Sequence, residues 1–81
     1  MNYHNTTKKV KLGDTVEVNF MGNIPKLAKI TNLVSPNTQN AIDWSLPKGG
    51  VIIEGDELGM IMCESLENDE DVKFVERGKI N

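Results

Sequence analysis

The sequence predicts a small all-β protein, and three observations carry that expectation. Apolar and polar residues alternate in short runs, and Gly, Pro and Asn interrupt the chain at close intervals. No stretch has both the length and the 3.6-residue period of an amphipathic helix. With 81 residues there is apolar surface for one core, not two.

Residues 1–9 are polar and lack periodicity, so they are expected to form a flexible tail, with one domain over 10–81. Leu12-Gly13-Asp14 reads as a turn. Thr15 to Phe20 follows as a strand, with Val16, Val18 and Phe20 on one face and Glu17 and Asn19 on the other. Gly22-Asn23 marks a turn, and Pro25 delays entry into the next strand. Leu27–Val34 is the second strand, and 35–40 is the longest loop. Ala41 to Leu46 suits a short helical turn stopped by Pro47.

Gly49-Gly50 permits a tight turn into Val51–Glu54, an apolar run fit for a buried third strand. Gly55-Asp56 and Gly59 bracket a reversal into Met60–Cys63. The run 67–70 is too charged to bury and forms a loop. Val72–Glu76 is the fifth strand, expected at an edge because Lys73 and Glu76 discourage further pairing. Five short antiparallel strands and one helical turn before the third make a small SH3-like barrel the most economical architecture.

Charge is unevenly spread. The formal net charge is −3, yet residues 1–42 carry five Lys against two acids, and residues 43–81 carry four bases against ten acids. An acidic half repels phosphate backbones and attracts basic proteins, which argues against nucleic acid as partner. Glu64, Glu67, Asp69, Glu70 and Asp71 concentrate that charge in one span and are the candidate partner-binding residues. The same crowding also reads as a solvated loop that aids solubility. Trp44 joins the candidates, either as a plug of the core or as an anchor at an interface.

Catalytic groups are scarce. His4 is the single histidine and falls in the expected tail, where nothing holds it against a substrate. Cys63 lies in an apolar strand as an inert thiol, and a lone cysteine forms no internal disulfide. The acidic run lacks the glycine and spacing of a calcium loop, and Gly49-Gly50 leads into a strand where a phosphate-binding loop leads into a helix. The expectation is a non-enzyme without metal or cofactor. No secretory leader is legible before residue 10, and no run reaches the roughly 18 apolar residues of a membrane span, so a cytoplasmic location is expected.

Three resemblances follow from these residues. Leu12-Gly13-Asp14-Thr15-Val16, Trp44 through Ile53, Gly59 and Asn68-Asp69-Glu70-Asp71-Val72 together resemble small bacterial immunity-like proteins of polymorphic-toxin and contact-dependent-inhibition systems. That resemblance implies a compact acidic protein that neutralises a basic toxin domain, often a nuclease, and brings no catalytic residue with it. Gly13 to Val16 and Ile42 to Pro47 are similar to pieces of the C-terminal domain of transcript-cleavage factors, which bind RNA polymerase. In that family the second piece stands near the chain end, whereas here further strands follow. Gly50 to Gly59 is similar to part of the biotinyl/lipoyl hammerhead, but residues 64–68 hold no lysine to carry the cofactor.

Overall fold

A computed structural model describes residues 1–19 and 24–78. Five strands form one antiparallel sheet: β1 (Thr15–Val18), β2 (Lys26–Val34), β3 (Gly50–Gly55), β4 (Gly59–Cys63) and β5 (Val72–Glu76). Their spatial order is β4-β3-β2-β1-β5, so β1 to β4 run as a meander and β5 returns beside β1. β5 stands at an edge, as expected from its charges. The other edge is β4, so the sheet is open and not closed into a barrel.

Alternation along the strands builds the main core. Val16 and Val18 of β1, Ala28 and Ile30 of β2, and Val51 and Ile53 of β3 are all buried in one cluster with Leu66 and Val72. Register explains the convergence, since Val16 pairs with Ala28 on one side and with Phe74 on the other, and Ile53 pairs with Ile30 and Ile61. Residues opposite each other across antiparallel strands share a face, so one face of the sheet holds the whole cluster.

A register shift between Ile30 and Asn32 resets the alternation of β2 and puts Val34 in a second cluster. That cluster holds Ala41, Leu46 and Ile52, with Trp44 packed against it. Ile52 lies between Val51 and Ile53 and faces the opposite side. β3 is therefore buried on both faces, which accounts for its unbroken apolar run.

The helical turn is α1 (Gln39–Asp43), and it begins two residues before the expected Ala41. Thr38 sets its start, because the Thr38 hydroxyl accepts a hydrogen bond from the Ala41 N–H at 3.1 Å. Its end comes before Pro47. Trp44 caps it and Ser45 turns left-handed at φ 57°. The strand expected over 15–20 is assigned to Val18, and Phe20 and the Gly22-Asn23 turn lie outside the described residues.

Residues 1–9 differ most from expectation, for they do not make a loose tail. Asn2 bridges Lys9, the Tyr3 N–H donates to Lys8 O, and the Val10 N–H donates to Met1 O. Tyr3 is 1 % exposed and Val10 8 %, and both belong to the main cluster. A polar segment becomes ordered here because one aromatic ring fills the core while its neighbours return to solvent.

Candidate functional site

The arm formed by residues 1–10 is fastened by a buried carboxylate. Asp14 follows a turn that Gly13 makes at φ 87°, and its side chain is fully buried. Tyr3 OH donates to Asp14 Oδ2 at 2.7 Å, and the Lys11 N–H donates to the same oxygen at 3.0 Å. Arg77 Nη1 reaches both Asp14 oxygens at 3.0 Å and donates to Lys9 O at 3.1 Å. A buried charge needs a counter-charge and hydrogen bonds together, and Asp14 has both. The arm, the start of β1 and the end of β5 thus meet at one side chain.

Phe74 of β5 extends the same junction. The Tyr3 ring lies 5.4 Å from it at a tilted 56°, Lys8 Nζ sits 4.3 Å from its centroid, and the Arg77 guanidinium carbon sits 5.3 Å away. Burial, and then the Asp14 hydrogen bond and charge, push the Tyr3 phenol far above its ordinary pKa; Arg77 offsets only part of this. The Tyr3 hydroxyl is therefore a fixed donor at neutral pH.

The predicted acidic residues follow β4 and precede β5. Leu66 anchors their loop in the main core at 0 % exposure. Glu67 is tied to the arm, since its Oε2 accepts from the Asn2 N–H at 3.1 Å and its carbonyl lies 2.8 Å from His4 Nδ1. Asp69 is half-buried and caps its own loop, accepting from the Asp71 N–H at 3.1 Å. Glu64, Glu70 and Asp71 are exposed. Among the described residues, the two ion pairs are Lys26–Glu57 at 2.6 Å and Arg77–Asp14 at 3.0 Å, so neither engages these three carboxylates.

A groove of about 770 Å³ runs between the arm and β5. His4, Thr6 and Lys8 line one wall, and Glu70, Asp71 and Lys73 the other, so both charge signs face it. Trp44 is not part of this region. It is half-buried on the second cluster, across β3 from Leu66. The structure therefore joins the acidic residues in one loop and sets the tryptophan apart.

His4 is held against the Glu67 carbonyl, not left in a tail, and Cys63 packs against the main cluster. Burial, followed by the charge of Asp69, raises the Cys63 thiol pKa and favours its unreactive protonated form. Among the described residues no three His, Cys, Asp or Glu side chains gather closely enough to hold a metal ion. Among the described residues no helix is long and apolar enough to cross a membrane.

Sequence reasoning did not identify Tyr3, Asp14 and Arg77 as a unit. The available signal was an aromatic residue inside an otherwise polar opening segment, in a chain where only 5 % of residues are aromatic. No protein-family model matches the chain, and neither a curated protein nor a solved structure matches it.

Proposed function

We propose that the protein is a non-catalytic binding module whose acidic side receives a basic protein surface. One observation carries the reading: Glu64, Glu70 and Asp71 are exposed, and no ion pair among the described residues engages them. Like charges crowded on a short loop repel one another and add nothing to the core, so a cationic partner relieves a cost that folding leaves in place. In its most specific form the partner is a toxin domain neutralised by occlusion of its basic face, as the resemblance to immunity-like proteins implies. The meander with β5 returning beside β1 supports an SH3-like partial barrel as the scaffold.

Co-expression with the product of the adjacent reading frame tests the proposal. Co-purification is expected, with affinity falling at least tenfold when Glu64, Glu70 and Asp71 are together changed to Lys. Unchanged affinity removes the acidic loop from the reading, and a toxic neighbour left unbound and active removes the immunity role. Capture of an RNA polymerase subunit would favour the second reading, an adaptor on that machine, which the Gly13–Val16 and Ile42–Pro47 similarities support.

A further inference from the structure

The two edges of the sheet are finished differently. β5 carries Lys73 and Glu76, its pairing with β1 is irregular at Thr15/Val16, and its Phe74 is overlain by Tyr3, Lys8 and Arg77. Charges, bulges and covering segments are the devices that keep an edge from recruiting another strand. Among the described residues β4 has none of them. Its sequence, Gly59-Met60-Ile61-Met62-Cys63, contains no charge and no proline, and its pairing with β3 runs without a register shift. Among the described residues no backbone hydrogen bond outside that ladder involves residues 59–63.

Side chains on the open face of β4 fit an apolar strand. Met60 and Met62 are 54 % and 52 % exposed, and Met62 pairs with Ile52, which belongs to the Trp44 cluster. Acids bracket this short apolar track, with Asp56 and Glu57 before it and Glu64 after it, all exposed. From residue 49 to residue 72 the chain has eight acids and no Lys, Arg or His. That charge selects among occupants. A second copy pairing antiparallel about Ile61 would bring Asp56 of each chain near Glu64 of the other, and like charges at both ends oppose it.

We propose that the outer edge of β4 accepts an extended strand of a basic partner protein, with apolar side chains of that strand on Met60 and Met62 and Lys or Arg at its ends facing Asp56 and Glu64. This rests on the acidic-side reading above and names how that partner docks. Main-chain hydrogen bonds hold the added strand, and the two methionines give a surface able to adapt to different apolar side chains.

The test uses the intact protein and a synthetic peptide, Arg-Thr-Val-Thr-Val-Thr-Arg, whose valines and arginines share one strand face, read by amide hydrogen exchange and chemical-shift perturbation. The expected result is at least tenfold slower exchange of the outward-facing amides within residues 59–63 and no change at 72–76. Met62→Lys is expected to weaken binding at least tenfold, and a peptide with proline in place of the second valine is expected not to bind. Perturbation confined to Glu70 and Asp71 overturns the strand docking and leaves the acidic-side reading standing. Absence of any perturbation also overturns the strand docking, the broader reading being decided by the co-expression experiment. Slow exchange of those outward-facing amides without peptide, together with a concentration-dependent dimer in sedimentation, overturns the choice of occupant in favour of a second copy.

Discussion

The β5 side and the β4 side of this sheet are built from strands of equal length, five residues each, yet they solve opposite problems. On the β5 side, the arm of residues 1–10 folds back, and its Tyr3 and Lys8, with Arg77 just after β5, close the core against Phe74 and Asp14. Among the described residues nothing covers the β4 side in this way, and its outward methionines meet solvent. A small domain has little apolar surface to distribute, so finishing one edge leaves less for the other. The comparison teaches that stability and accessibility are separated in space: substitutions near β5 should act on folding, and substitutions on the outer face of β4 should not.

The largest expected effect is at Tyr3. Tyr3→Ala removes a ring that is 1 % exposed and deprives Asp14 of a donor, and by analogy with buried aromatic truncations it should cost about 3–5 kcal/mol in denaturant unfolding. A cost below about 1 kcal/mol would mean that the arm does not fasten the core. Next comes Arg77→Met, which keeps much of the packing volume but leaves the buried Asp14 carboxylate without its cation. Because 39 % of the Arg77 side chain is exposed, solvent softens the loss, and about 2–3 kcal/mol is expected.

Tyr3→Phe retains the ring and removes the hydroxyl, at an expected cost of about 1–2 kcal/mol at neutral pH. It also isolates a pH effect. The phenol's folded-state pKa is raised above its unfolded value, so its contribution to stability is complete below about pH 10 and is lost as pH rises through the folded value. Wild-type stability should therefore fall above about pH 10 with a slope that Tyr3→Phe removes. Cys63 shifts in the same direction from a lower starting point, so the titration is best made in a Cys63→Ala background. The smallest effect sharpens the contrast. Met60→Ser with Met62→Ser should change stability by less than about 0.5 kcal/mol per site, because both side chains are more than half exposed.

Strand positions were legible because each strand carries its own period. β2, β3, β4 and β5 lie within one residue of the stretches marked by alternation and by Gly or Pro punctuation. Closure of the sheet was not legible, since alternation says which face is buried and nothing about whether the first and last edges meet. The helix start was missed because Thr38 sits in a run that reads as loop, and its capping role appears only once Ala41 is buried above it. The arm was missed for a related reason. Tyr3 bonds to Asp14, 11 residues on, and Asp14 bonds to Arg77, 63 residues further, by contacts that leave no local period.

The acidic loop was legible as composition but not as geometry. Its charge is plain in the sequence, whereas the division between Glu67 and Asp69, which hold the loop, and Glu64, Glu70 and Asp71, which face solvent, depends on where Leu66 anchors it. Trp44 illustrates the converse. Both of its sequence readings concerned a single interface or core, and the structure instead puts it on a second cluster that the register shift in β2 creates.

Residue-resolved amide hydrogen exchange of the free protein tests the contrast between the two sides most directly. The amides of Tyr3 and Val10, bonded to Lys8 O and Met1 O, should be protected together with those of β1 and with the β5 amides bonded to β1, and Tyr3→Ala should release the arm amides first. In β4, amides bonded to β3 should be protected while those on the outer edge exchange freely, giving an alternating pattern over residues 59–63. Free exchange throughout residues 2–10, combined with uniform protection across β4, would contradict the account.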